Sequence, residues 1–235
     1  TNGVIEEGLV EAESSSLQGV IHESAKNISK VLSRSSKIYN NVIKGLSMHD
    51  LSELSKNKKQ ISKLSDEVDR LKDKLFYFIK NLDESSLGAS NFYINLLGYL
   101  QDITQSIEYV SKISHKHINN NHSKLTLNQI RDLLAIQEVM SRLFETISTT
   151  FKQKSFEEIK AVLKDKNKTI GLLEDKIESQ IARTRTSEEK SPKNAALYFS
   201  ILQESKDLMK EVMSLIEEYY VSYDKSVKPA KPKDE

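Results

Sequence analysis

Three of the five histidines in the chain lie within the stretch HKHINNNHSKLT, residues 115 to 126. The imidazoles of His115, His117 and His122 could bind zinc or nickel if the backbone here is extended or turned. Within a helix, however, His115 and His117 would point about 200° apart and could not share one ion. Histidine also suits the negative end of a helix, and asparagine accepts the left-handed conformation that stops one. We therefore expect residues 115–125 to form a hinge, with a histidine metal site as the alternative.

A second candidate site is a basic stretch, RTRTSEEKSPKN, that precedes the last predicted helix. It carries four cations, Arg183, Arg185, Lys190 and Lys193. Free backbone amides at a helix N-terminus could add to these charges and bind phosphate or a lipid headgroup. The alternative is a charged hairpin in which Glu188 and Glu189 balance the cations.

Composition excludes several other kinds of chemistry. The absence of cysteine removes disulfides, thiolate catalysis and cysteine-ligated metals. No nucleophile elbow, HExxH motif or Walker loop occurs, so we expect neither an enzyme nor a bound cofactor. A formal net charge of +1 and the absence of tryptophan argue against a nucleic-acid partner.

Apolar residues recur every three or four positions through most of the chain, which is the pattern of helices that bury one stripe. Only 7 glycines and 3 prolines interrupt the pattern, so we predict an all-α fold of six long helices. The predicted segments are 16–43, 50–82, 90–114, 126–147, 155–181 and 191–223.

Four of these segments open on a recognisable capping signal. Asp50 stands three residues before Glu53, and Thr126 three residues before Gln129, which is the spacing of a capping box. Ser155 with Glu158 repeats the pattern. Ser191 is followed by proline, which is favoured at the first helical position because its missing N–H would have no partner there.

The third and sixth segments resemble each other, since FYINLL from residue 92 and LYFSIL from residue 197 share an order of apolar, aromatic and polar positions. We therefore predict two antiparallel three-helix bundles, 16–114 and 126–223, which pack on each other if their faces allow it. Residues 1–15 are expected to be a flexible segment at a cut point, and residues 224–235 a disordered tail with at most a weak contact to a membrane surface. No apolar run is long enough to cross a membrane, so we expect a soluble piece of a longer protein.

Two longer stretches carry a family resemblance. LGYLQDITQSIEYVSKISHKHINNNHSKLT and QIARTRTSEEKSPKNAALYFSILQESKDLM resemble the cytoplasmic C-terminal domain of bacterial PiT-type inorganic phosphate permeases, which is similar to the accessory protein PhoU. The matching features are His117-x-x-Asn-Asn-His122, Leu125 after it, the QIARTR stretch, and Lys-Asn before an aromatic-bearing helix. The resemblance covers residues 16–223.

The resemblance implies a PhoU-like fold of two tandem three-helix bundles. It also implies a non-catalytic regulatory domain of a sodium- or proton-coupled phosphate transporter, at the cytoplasmic face of the bacterial inner membrane. The implied partner is the transmembrane permease part of the same polypeptide, and a homo-oligomer is a further possibility. The alternatives are a free-standing cytoplasmic helical adaptor in phosphate signalling, and a metal-binding PhoU-like protein.

PhoU proteins carry a Glu-x-x-x-Asp motif that binds iron or zinc on the third helix of each bundle. The resemblance places the corresponding positions at Gln101 and Gln105, and at Lys206 and Lys210. Neutral amides and ammonium groups do not attract a cation, so no metal is expected at these positions. Asp102 and Asp207 lie one step further round their helices and are expected to pair with lysines on a solvated face.

Overall fold

The computed structural model describes residues 16–82 and 87–226, and all regular structure in these ranges is helical. The predicted all-α class is confirmed there, since no residue of either range lies in a strand. The expected flexible segment 1–15 and residues 227–235 of the expected tail lie outside the described residues. The helices are α1 Leu17–Ser47, α2 Leu51–Lys80, α3 Leu87–Asn119, α4 Leu127–Gln153, α5 Ile159–Lys164, α6 Lys166–Arg185 and α7 Pro192–Ser222.

Three of the four predicted capping signals are confirmed by their hydrogen bonds. The Asp50 carboxylate accepts from the backbone N–H of Glu53 at 3.0 Å. Thr126 and Gln129 form both bonds of a capping box, at 3.2 and 3.1 Å. Ser191 accepts from the backbone N–H of Asn194 at 3.1 Å, and α7 begins at the following proline. These side chains satisfy amides that the first turn of a helix leaves without a partner.

The predicted fifth helix was wrong in two respects. Ser155 makes no capping bond, and the chain instead forms a 3₁₀ turn, Phe156–Glu158, before α5. The turn keeps Phe156 buried against Phe151, with ring centroids 5.8 Å apart. The helix then divides into α5 and α6 around Asp165. Residues 164–168 read KDKNK, so no apolar side chain holds this part of the helix to the core.

The first three helices pack as successive antiparallel neighbours. Arg34 on α1 forms an ion pair with Glu67 on α2, and the glutamate is 7% exposed. Between α2 and α3, the Gln101 amide donates to Asp69 at 3.3 Å. Between α2 and α3 the sequence separation falls from 60 for Ser55 and His115 to 32 for Asp69 and Gln101, which lie nearer the turn, as in a helical hairpin.

The later helices pack on the earlier ones along two long antiparallel interfaces. Ser29 on α1 donates to the carbonyl of Ser148 on α4 at 2.8 Å. Between α3 and α7, Ser106 donates to Glu211 at 2.9 Å. The buried apolar side chains of all these helices belong to one continuous cluster. The two predicted sets of helices therefore share one core. Their division into two separate bundles stays a prediction.

The predicted hinge was too long, because α3 continues to Asn119 and includes His115 and His117. The connection to α4 is limited to residues 120–126. Asn121 has a φ of 58°, so an asparagine does adopt the left-handed conformation after the helix, as expected. The helix extends because Ile118 is buried, at 6% exposure, and the core therefore continues past the predicted end at residue 114.

The bundle has an aromatic end and a polar end. At the aromatic end, which holds the N-terminus of α1 and the C-terminus of α7, the Tyr219 ring contacts Phe92, Phe151 and Phe156 at centroid distances of 5.0, 4.5 and 5.6 Å. There the backbone N–H of Asp224 donates to Gln18 at 2.9 Å. The polar end holds the turns before α2, α4 and α7, where the Asn194 amide donates to the carbonyl of Lys124 at 3.1 Å.

Candidate functional site

The three clustered histidines do not converge on one point. His117 is 6% exposed, and its Nε2 lies 2.9 Å from the carbonyl of Ser123. His115 faces α2 instead, with its Nε2 3.1 Å from the Ser55 hydroxyl. His122 lies beside His117, at a ring-centroid distance of 5.1 Å. Burial lowers the pKa of both His115 and His117, so the neutral imidazoles are favoured as hydrogen-bonding groups.

Gln101 and Lys206, two of the four positions that the resemblance aligned with the PhoU metal motifs, have polar partners on other helices. The Gln101 amide donates to Asp69, and Gln105 is exposed. The Lys206 ammonium lies 3.9 Å from Glu174 on α6, while Lys210 is exposed. Within residues 16–82 and 87–226, no three His, Asp or Glu side chains are grouped in a way that could hold a metal ion.

An acidic cluster that the sequence analysis did not predict lies between α3 and α7. It consists of Glu204 and Glu211, which both interact with the Ser106 hydroxyl, and of Asp102 and Asp207, whose charges act on Glu211. The pKa of Glu211 is raised to about 7, chiefly by burial; the hydrogen bond from Ser106 opposes this rise, and the charges of Asp102, Glu204 and Asp207 add to it. The expected lysine partners of Asp102 and Asp207 are absent among the ion pairs of the described chain, and Asp207 accepts from Gln203 instead.

The raised pKa of Glu211 predicts a pH-dependent stability. Between about pH 4.5 and pH 7 the folded chain binds a proton that the unfolded chain has released, so the free energy of unfolding falls as pH rises. We expect Glu211→Gln to raise it by roughly 1 to 2 kcal/mol at pH 8, after allowance for solvent screening, and to have little effect at pH 4.5. Urea denaturation at both pH values measures this, with Glu145→Gln on the exposed face of α4 as the matched control. Equal stability of wild type and Glu211→Gln at pH 8 would contradict the assignment.

Arg183, one of the four predicted anion-binding cations, is already engaged within the protein. Its guanidinium donates to the side-chain oxygen of Gln180 at 2.9 and 3.2 Å and lies 3.8 Å from the Asp132 carboxylate. The same carboxylate accepts from the Tyr198 hydroxyl at 2.8 Å and lies 3.0 Å from the Lys176 ammonium. Burial raises the pKa of Tyr198, so its hydroxyl is not activated as a base near neutral pH. This group ties α4, α6 and α7 together.

The other three predicted cations are exposed around the turn before α7. They are Arg185, Lys190 and Lys193.

Glu188 and Glu189 were expected to balance the charges of this hairpin. For Arg183, however, the carboxylate partner is Asp132 of α4. Glu189 instead accepts from the side chain of Gln129, on α4, and from the backbone N–H of Ser191. Ser191 also caps the amide that was expected to meet an anion, so the turn offers fewer free donors than the sequence suggested.

An apolar tip at the aromatic end is a second surface that the sequence analysis did not identify. It consists of Phe76, Tyr77 and Ile79 near the end of α2 and Leu87 at the start of α3, which are 65%, 63%, 42% and 66% exposed. The rings of Phe76 and Tyr77 contact each other at 5.5 Å. Phe78, which lies between Tyr77 and Ile79 in sequence, is buried. Exposed apolar side chains that are grouped on a surface are typical of a docking site.

Neither a family model, a curated protein nor a solved structure matches this chain. The class of protein that the fold defines is an all-α helical bundle. No helix of residues 16–82 or 87–226 combines the length and hydropathy that a membrane crossing requires.

Proposed function

We propose that the chain is a PhoU-like accessory domain of a sodium- or proton-coupled inorganic phosphate permease, at the cytoplasmic face of the bacterial inner membrane. Its role is regulatory and non-catalytic, and it acts through contacts between proteins. The observation that carries the proposal is the apolar tip, because exposed aromatic side chains are enriched where one protein packs on another.

The position of the tip favours a partner at one end of the bundle. Residue 16 before α1 and residue 226 after α7 both lie at the aromatic end, as the hydrogen bond from Asp224 to Gln18 requires. A permease part joined ahead of α1 would be connected to the bundle at this same end, from which Phe76, Tyr77 and Leu87 protrude. Docking there would bury apolar side chains that now face solvent, which is a favourable change in free energy.

The geometry of the polar groups supports a non-catalytic role. The Tyr198 and Asp132 group is held between three helices, and its tyrosine is less acidic than usual because of burial. His115 forms a hydrogen bond with the Ser55 hydroxyl on α2, and His117 forms one with the carbonyl of Ser123 after α3. Neither group combines a nucleophile with a base in an open pocket, which catalysis of acyl or phosphoryl transfer requires.

Phosphate uptake by whole cells tests the regulatory role. We expect removal of residues 16–226 to change the rate of radiolabelled phosphate uptake at least about two-fold, or to abolish its dependence on external phosphate, since the bound domain shifts the permease between states. The double variant Phe76→Ser, Tyr77→Ser should reproduce this effect. Tyr109→Ser, at an exposed position on α3, is the matched control. Unchanged uptake after removal of the domain would refute the proposal.

A further inference from the structure

A groove with a positively charged lining lies between α2 and α3, and we name it the lysine groove. It has a volume of about 610 Å³ and is lined by five cations and two carboxylates. The cations are Lys58, Lys59, Lys63 and Arg70 on α2 and Lys112 on α3, and the carboxylates are Asp66 and Glu108. The local balance of +3 contrasts with the whole chain, whose formal net charge is +1.

The cations of the lysine groove have no charged partner in the part of the chain that the structure describes. All five are exposed, and none forms an ion pair with a carboxylate of residues 16–82 or 87–226. The carboxylates of α2 that face other helices are occupied elsewhere, since Glu67 pairs with Arg34 and Asp69 accepts from Gln101. The partners of both carboxylates therefore lie outside the groove.

The positive field of the groove also reaches a neighbouring group. His115 lies on α3 one turn beyond Lys112, and its pKa is lowered first by burial and then by the charge of Lys58. The field at this end of the groove thus disfavours a further positive charge. An anion bound between Lys58 and Lys112 would relieve this repulsion.

The shape of the groove selects an extended ligand. Lys58 and Arg70 are twelve positions apart on α2, which corresponds to about 18 Å along the helix axis. The apolar floor is Ile61, which is 1% exposed, so the donors stand along two walls and do not surround one point. A single orthophosphate could contact only some of these cations, whereas a linear anion with several charges could meet cations along the whole groove.

We infer that the lysine groove binds a chain of linked phosphates, of the kind present in inorganic tripolyphosphate and longer polyphosphates. Linked phosphates match a row of lysines because each carries a negative charge and acceptor oxygens along its whole length. A single-stranded nucleic acid fits less well, since no aromatic side chain lines the groove on which a base could stack. The site does not depend on the proposed function, because its charges lie on the side of the bundle and not at the apolar tip.

Calorimetric titration of the full chain with tripolyphosphate tests the inference. We expect one binding site, and a dissociation constant for orthophosphate at least about ten-fold weaker, because the shorter anion meets fewer cations. The triple variant Lys59→Gln, Lys63→Gln, Lys112→Gln should weaken tripolyphosphate binding by at least about ten-fold. The triple variant Lys160→Gln, Lys164→Gln, Lys168→Gln removes the same charge from exposed positions on α5 and α6, and should bind like wild type.

Two further ligands are compared with tripolyphosphate. One tests whether the linked phosphates belong to a nucleotide, and the other tests whether the groove prefers a nucleic acid. Adenosine triphosphate carries the same linked phosphates on a nucleoside, so comparison with tripolyphosphate shows whether the base adds to binding. A single-stranded oligonucleotide of equal charge should bind more weakly than tripolyphosphate. Equal losses in the two triple variants, no heat with tripolyphosphate, or tighter binding of the oligonucleotide would each overturn the inference. Unchanged phosphate uptake after removal of the domain would leave this binding result intact.

Discussion

Replacing Tyr219 with alanine is expected to lower the free energy of unfolding by about 4 kcal/mol. The side chain is fully buried, and its ring contacts Phe92, Phe151 and Phe156, which belong to α3, α4 and the 3₁₀ turn. Removing it would leave a large cavity at the point where the two sets of helices meet. Packed aromatic side chains cannot readily move to fill such a space, so both the transfer free energy and the cavity contribute to the loss.

Two control variants separate the ring from its hydroxyl and from a general effect of losing a tyrosine. The Tyr219 hydroxyl lies 2.6 Å from the Ser24 hydroxyl, so Tyr219→Phe should cost only about 1 kcal/mol. Tyr77 is 63% exposed, and Tyr77→Ala should change stability by less than about 0.5 kcal/mol. Urea denaturation measures all three variants. A loss below about 1.5 kcal/mol for Tyr219→Ala would mean that the aromatic end does not join the two sets of helices.

The parts of the fold that were predicted correctly depend on short-range signals. Asp50, Thr126 and Ser191 each act within three residues along the chain, and local hydrogen bonds decide the outcome. The 3₁₀ turn was missed because it is fixed by contacts of Phe156 with Phe151 and Tyr219, one of which is far away in sequence. Capping spacing at Ser155 predicted a helix start, and tertiary packing of the aromatic side chain decided otherwise.

The candidate sites were harder to predict because they depend on which helices face each other. Glu211 has an unusual pKa because α7 packs on α3, and periodicity within α7 gives no information about that neighbour. The lysine groove likewise needs Lys63 and Lys112, which are far apart in sequence, to meet across two helices. In the basic stretch before α7, the sequence suggested a site that the packing removes. Arg183 looked available to an anion, but it lies beside the Asp132 carboxylate of α4.

The apolar tip is expected to give the second large effect, in a cross-linking experiment. A photoreactive amino acid placed at position 76 would lie at the aromatic end, next to Tyr77 and 65% exposed in the described chain. If the tip packs on the permease, the reactive group is held within contact distance of it for most of the time. We therefore expect the yield of adducts with the permease to be at least about ten-fold higher than from position 109, which is exposed on α3 but lies away from the tip.

The measurement that tests the proposed function most directly is the identification of these adducts by mass spectrometry in intact membranes. If the apolar tip docks on the permease, position 76 is joined to peptides of the cytoplasmic loops of an inorganic phosphate permease, and position 109 is not. Adducts from position 76 that contain only lipid, only a second copy of this chain, or no permease peptide would contradict it.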